Sequence, residues 1–169
     1  LTSQEEASEF KESKMLLKAK LSELNDLLNH KLFSSMVSDA SISYEEWLSS
    51  HQPFHWLAEY YHIMHSNGGF DVIIGNPPYV EYKESKSTYK IKDYETLSCG
   101  NLYAFVMERT KKIINHMSIY GMIVPHSGFC TDRMGKVINL FGEDKFWLSF
   151  YDVRPSKLFD GADQRLAIF

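Results

Sequence analysis

Two cysteines, Cys99 and Cys130, are all that 169 residues carry, and they stand far apart. That excludes a disulfide framework and a cysteine-built zinc site, and such usage suits a reducing, cytoplasmic compartment. Long apolar runs are also missing: none approaches the roughly 20 residues needed to cross a bilayer, and no signal peptide pattern opens the chain. No membrane partner and a cytoplasmic location are therefore expected. Positive charge is scarce, with 18 Lys and Arg against 22 Asp and Glu, a net charge of −4 and a pI near 6.0. A chain so balanced cannot grip nucleic acid by phosphate neutralisation alone, so the main clamp on any such partner must lie elsewhere. Metal-ligand sets are absent too. His55, His62 and His65 come closest, and a three-residue His spacing without a Cys or carboxylate to complete it predicts no metal.

What is present is enough for one core, since 44% of the residues are hydrophobic. The most informative stretch is Phe70-Asp71-Val72-Ile73-Ile74-Gly75, followed at once by Asn76-Pro77-Pro78-Tyr79. Val72, Ile73 and Ile74 are a short β-branched block without helical period, which predicts a central parallel strand covered by helices on both faces. Gly75 ends it. Two consecutive prolines fix two φ angles near −65°, remove two N–H donors and bias Asn76 and Pro77 away from the α region. An amide side chain, outward carbonyls and an aromatic face thus fall within four residues that have little freedom left to lose. Such a loop is suited to holding a flat amine at the carboxyl edge of an open α/β sheet.

Asn76-Pro77-Pro78-Tyr79 resembles the N-P-P-Y/F motif of amino-methyltransferases that use S-adenosylmethionine (SAM), above all the N6-adenine DNA methyltransferases. The likeness extends from Pro53-Phe54-His55-Trp56 through Gly68-Gly69 to Val80, and is similar to the lead-in of the large type IIG restriction-modification and phage-defence methylases. Asn101-Leu102-Tyr103-Ala104-Phe105, Gly121 to Pro125, and Ser156 to Gly161 with Gln164 to Ile168 resemble later blocks of that family in the same order. The resemblance implies that the Asn76 side-chain oxygen and the Pro77 carbonyl accept the hydrogens of an exocyclic amine, with Pro78 stiffening the loop. It implies that Tyr79 stacks on a flipped base and that Phe159 supplies a second ring. It places Asn76, Asn101, Tyr103 and Phe105 at the cofactor, SAM. Plain packing is an equal reading for Tyr103, and anchoring of a loop to the core is one for Phe159.

The chemistry fits these residue types. An exocyclic amine is a poor nucleophile because its lone pair is delocalised into the ring. Two fixed acceptors favour its tetrahedral, developing-cation form, which is transition-state stabilisation by preorganised dipoles. Base extrusion costs a few kcal/mol, and stacking on an aromatic ring returns about 1 to 3 kcal/mol. Lys83 and Lys86, with Lys90 and Lys92, follow the loop in a polar stretch; they are candidates for phosphate contact, against the ordinary reading of a solvated loop.

The expected fold class is α/β: the C-terminal part of a doubly wound, Rossmann-like methyltransferase sheet preceded by a helical segment. Residues 1–66 read as the helical lead-in and 67–169 as a partial catalytic domain. Ser3 with Glu6 predicts a capping box, and Leu17, Leu21, Leu24 and Leu28 repeat at helical spacing in a helix of about two dozen residues that should pack on a neighbour. Ser43 with Glu46 opens a second helix. After Pro53 a third, with Trp56, Leu57, Tyr60, Tyr61 and Met64 on one side, should lie on the sheet. Gly68 and Gly69 then cap it.

Asn101 is the N-cap of a helix whose apolar face runs from Leu102, Phe105 and Val106 to Ile113 and Met117. Gly121 restarts the chain as the strand Met122 to Val124, parallel to the first by the crossover rule. A helix over about Asp132 to Leu140 and strands over Phe146 to Tyr151 and Arg165 to Phe169 complete the series. The chain opens on Leu1 and closes on Phe169 inside a predicted strand, and no glycine-rich SAM turn precedes residue 70. An excised piece is therefore expected, inactive alone, whose partners are the rest of the parent polypeptide and DNA read by a separate recognition domain. The remaining alternatives are a protein-glutamine or RNA amino-methyltransferase, and a non-catalytic methylase-like interaction module.

Overall fold

The computed structural model describes residues 2–37, 42–87, 89–145, 147–155, 157–160 and 163–169, with side chains from residue 5 onward. The side chain of Ser3, on which the predicted Ser3 to Glu6 capping box turns, Phe146 at the head of a predicted strand, and Ser156 and Gly161 of the loop around Phe159 lie outside these. The chain divides into two compact units, Leu1–His62 and Ile63–Phe169.

The first unit is helical. Helix α1 spans Thr2–Met36, longer than two dozen residues because no proline or glycine interrupts it. Leu17, Leu21 and Leu24, expected to pack, are exposed by 61, 37 and 42%. Its C-terminal part finds partners: Asn25 bonds Glu59 and Asn29 meets His55, His30 stacks on Tyr44, and Phe33 meets Tyr44 and Trp47 edge-on, Trp47 being 1% exposed. Helix α2 (Tyr44–His51) opens on the expected box: the Ser43 oxygen accepts from the Glu46 N–H, and the Glu46 carboxylate accepts from the Ser43 N–H at 3.0 Å. After α3 (Trp56–Glu59), helix α4 (Tyr61–Ser66) leads into the second unit.

Gly68 (φ +71°) and Gly69 (φ +137°) close α4, with the Gly69 N–H reaching the Ile63 carbonyl at 3.1 Å. This is the expected glycine cap. Gly69 has a second duty: a Cβ there would meet the Ile113 carbonyl oxygen at 2.6 Å, so a side chain would hold the backbones apart.

The second unit is built on a mixed four-stranded sheet in the order β1-β2-β4-β3, formed by β1 (Phe70–Gly75), β2 (Ile114–Pro125), β3 (Ser149–Tyr151) and β4 (Leu166–Ile168). Strands β1 and β2 are parallel, with helix α6 (Leu102–Ile113) in the connection between them, as the crossover rule requires. β4 runs antiparallel to both neighbours. The continuous doubly wound parallel order gives way after β2, because β3 and β4 are joined by one loop without a crossover helix and so pair antiparallel.

Helix α6 stops at Ile113, and Met117, expected on its apolar face, stands in β2, exposed by 91%. The cause is pairing. Ile114 is already extended (φ −89°, ψ 153°) opposite Phe70, so cross-strand partners take over from the helix eight residues before the predicted strand start at Met122. Asp132 to Leu140 forms a short 3-10 turn (Asp132–Met134) and then α7 (Gly135–Phe141).

Among the described residues β1 is the edge strand of this sheet, where a central one was expected. Ile73 packs against the core while Val72 and Ile74 are exposed by 58 and 81%. A block of three β-branched residues cannot say whether one face or two will be covered. The core lies on the Ile73 side: Tyr103, Ala104 and Met107 of α6, Val137 and Phe141 of α7, Met122 and Val124 of β2, with Cys99 and Met134.

Beneath it, Glu108 is wholly buried, accepting from the Thr96 N–H (2.9 Å), the Thr96 hydroxyl (2.8 Å) and Lys112 (2.6 Å). Burial pushes its carboxyl up, but those bonds and one from the Glu95 N–H outweigh it and hold the group at about 2.

Candidate active site

β1 and β2 are parallel neighbours, so their carboxyl ends lie side by side, and the segment Asn76 to Tyr79 leaves one while His126 to Phe129 turns off the other in a 3-10 helix. That is where an open α/β sheet places ligands. Asn76 and Pro78 are exposed, Pro77 is buried, and Tyr79 is half-buried with its ring on the core cluster.

The Tyr79 hydroxyl lies 2.5 Å from the Asn76 side-chain oxygen and 3.1 Å from the Ile123 carbonyl of β2. Its one proton is shared between two acceptors. Burial pushes the phenol up from its ordinary value, so it stays a donor at neutral pH. The Asn76 oxygen keeps a second lone pair for another donor.

Beside Tyr79 opens a cavity of about 440 Å³, which Asn101, Tyr103, His126, Ser127 and Arg165 help to line. Asn101 Oδ1, on one of its lining residues, is buried with no hydrogen-bond partner among the described residues, and the buried Tyr103 hydroxyl has only Ser127 beside it. Tyr103 itself is 1% exposed. Buried polar atoms left unpaired cost roughly 1 to 3 kcal/mol each, which a polar ligand would recover. A larger recess of about 810 Å³, with Lys111, Asn115, Asp144 and Trp147 in its wall, lies toward the opposite end of β2. There Lys111 and Asp144 pair with each other and Tyr120 bonds Asp144 at 2.6 Å, beside Glu143 and Lys145 in the same wall.

The structure thus gathers Asn76, Pro77, Pro78, Tyr79, Asn101 and Tyr103 around one edge. Asn101 occupies the N-cap position of α6 but makes no cap bond; its amide nitrogen donates instead to the Glu81 carboxylate at 3.1 Å, a charge-assisted bond. Phe105 is elsewhere, buried between the rings of Tyr82 and Tyr94, about 200° around the helix from Tyr103. Phe159 is 41% exposed in the β3 to β4 connection and is not among the residues lining the cavity. Lys83 is exposed in the short helix α5 (Tyr82–Ser85), and Lys86 just after it.

Residues the sequence did not single out are Glu81, Arg133, His126 and Arg165. Arg133 forks onto Glu81 at 3.0 and 2.8 Å, which holds the Glu81 carboxyl below its usual range. For His126 a signal existed, since the residue after Pro125 had to emerge at the carboxyl end of a predicted strand.

Among the described residues no helix is long and apolar enough to cross a membrane, and no group of three or more His, Cys, Asp or Glu is placed to hold a metal. A mixed sheet with a polar cavity at the shared carboxyl edge of two parallel strands is the build of an α/β enzyme. The chain belongs to the Eco57I restriction-modification methylase family, whose match covers residues 1–159. No match to a curated protein was found. Family membership makes this the chain of a restriction-modification methyltransferase and implies DNA as its substrate partner.

Proposed function

We propose that the chain carries the substrate loop of a SAM-dependent DNA methyltransferase acting on the N6 amine of a flipped adenine. The observation that carries the reading is the Asn76 to Tyr79 pair: an exposed carboxamide oxygen, steadied by a tyrosine whose ring is fixed by the core and by β2. In this reading the Asn76 oxygen and the Pro77 carbonyl accept the two amine hydrogens, drawing the nitrogen toward the tetrahedral form with its lone pair free of the ring. Tyr79 offers the stacking face. The nitrogen becomes acidic only as it gains its new bond, so no strong base is needed beforehand.

The cavity fits the cofactor in one respect, since the unpartnered Asn101 oxygen and the nearby Tyr103 hydroxyl match a ligand rich in hydroxyl and amino groups. Asn101 and Tyr103 would hold it, and when bound it supplies an electrophilic sulfonium methyl. Lys83 and Lys86 stand on the exposed segment after the loop and would meet backbone phosphate, while Phe159 would close over the base from the β3 to β4 connection. Remaining DNA contacts belong to other parts of the parent polypeptide, in keeping with a net charge of −4.

The test is transfer of labelled methyl from SAM to DNA by the full-length protein, with adenine identified as the acceptor after digestion. Asn76→Ala should abolish most of it. Label appearing on cytosine, or an Asn76→Ala protein that works normally, would overturn the reading.

A further inference from the structure

The segment that follows the substrate loop is fastened unusually well for a surface stretch. Residues 80 to 82 and 100 to 102 zip together: Leu102 N–H donates to the Val80 carbonyl at 2.9 Å, Tyr82 N–H to the Gly100 carbonyl at 2.9 Å, and Glu81 bridges Asn101. Over this zip lies a carboxylate with three side-chain bonds. Glu81 accepts both arms of Arg133, at 3.0 and 2.8 Å, and the Asn101 amide at 3.1 Å. The same guanidinium reaches the Gly100 carbonyl at 3.3 Å.

Gly100 makes the arrangement possible twice over. Its φ is +63°, and a Cβ there would stand 2.3 Å from the Arg133 Nη2. The backbone has left room for the guanidinium. Exposed ion pairs add little to global stability, and Arg133 is half-exposed. A bidentate fork that also ties two backbone segments is therefore better suited to fixing geometry than to holding up the fold.

We propose that Glu81, clamped by Arg133 and Asn101, is the positioning residue that sets the substrate loop. Glu81 lies two residues after Tyr79, and its partner Asn101 borders the same cavity as Tyr79. A loosened clamp lets residues 76 to 79 drift relative to the 100 to 103 wall. A displacement of about 1 Å in such a site can cost on the order of 100-fold in rate. The proposal rests on residues 76 to 79 being the substrate loop, and its test keeps the two apart.

Full-length protein carrying Glu81→Gln, Arg133→Lys or both is compared with the unaltered protein by amide hydrogen exchange, thermal unfolding and methyl transfer. Each single change should speed exchange across residues 79 to 82 and 100 to 102 by about tenfold, leaving β2 protected. The double variant should be no looser than either single, because both remove one clamp. Turnover should drop about 10- to 100-fold. Unchanged loop exchange, fully additive effects, a uniform rise that includes β2, or unaltered turnover despite a loosened loop would each overturn the proposal. If the unaltered protein transfers no methyl at all, the functional reading fails instead, and the exchange measurements still decide the clamp.

Discussion

The Tyr79 hydroxyl sits 2.5 Å from the Asn76 side-chain oxygen, and both belong to a loop stiffened by two prolines. The tyrosine therefore does two things at once: its ring offers a face and its hydroxyl holds the amide in place. Tyr79→Phe keeps the face and loses the hold. Methyl transfer should fall by about 3- to 10-fold, the worth of one ordinary hydrogen bond. Tyr79→Ala loses the face as well, and base capture should weaken by a further 1 to 3 kcal/mol, roughly 5- to 150-fold. Steady-state rates on one DNA duplex check both. Equal losses in the two variants would show that stacking is not the role of this ring.

Asn76 is exposed, so its removal should scarcely touch the fold. Asn76→Ala is expected to shift stability by no more than about 0.5 kcal/mol while cutting turnover by about 100- to 1,000-fold. Thermal unfolding and single-turnover kinetics on the same preparation separate the two effects.

Glu108 gives the second unit a defined weakness to acid. Its folded value of about 2 lies below the ordinary 4.5, so the stability it contributes is complete above about 4.5 and is lost as pH falls toward about 2. Denaturant midpoints measured across that window should decline in the native protein and decline less in Glu108→Gln. Glu108→Ala strands the Thr96 donors and Lys112, and should cost roughly 3 kcal/mol at neutral pH. A flat acid profile in the native protein would contradict this account.

The two thiols should behave oppositely. Cys99 is fully buried and burial pushes its thiol up, whereas Cys130 is exposed at the cavity rim. A thiol reagent should label Cys130 within the native state and Cys99 only on unfolding. Mass spectrometry of labelled peptides reads the difference.

How much of this was legible in the sequence follows from what each residue had to signal. Phe70 to Tyr79 announced a strand and a stiff loop because β-branched residues and prolines act locally. The same block gave no hint that Val72 and Ile74 would be bare, since burial is set by what packs above them. The end of α6 was misjudged for a related reason: Ile113 and Ile114 suit helix or strand, and Phe70 across the sheet decides. Ser43 and Glu46 were readable three residues apart. Glu81 and Arg133 were not, because a pair separated by 52 positions leaves no local trace. Met117 shows the limit of helical periodicity, since it fell in a strand; Phe105 is buried as its place on the apolar face required, and faces two tyrosines rather than the cavity.

Gly69 gives the sharpest backbone test. Alanine there would combine a φ of +137° with a 2.6 Å approach to the Ile113 carbonyl oxygen. A loss of about 2 kcal/mol or more is expected, without change around Asn76 and Tyr79. Thermal unfolding of Gly69→Ala measures it.

The outer side of β1 has a practical consequence. Val72 and Ile74 of β1 and Ile119 of β2 form an exposed greasy ribbon, and among the described residues the outer hydrogen-bonding rim of β1 has no neighbour in the sheet. Ribbons of that kind adhere to one another. Preparations limited to these 169 residues should therefore clump as their concentration rises, and a lysine at position 74 should keep them dispersed.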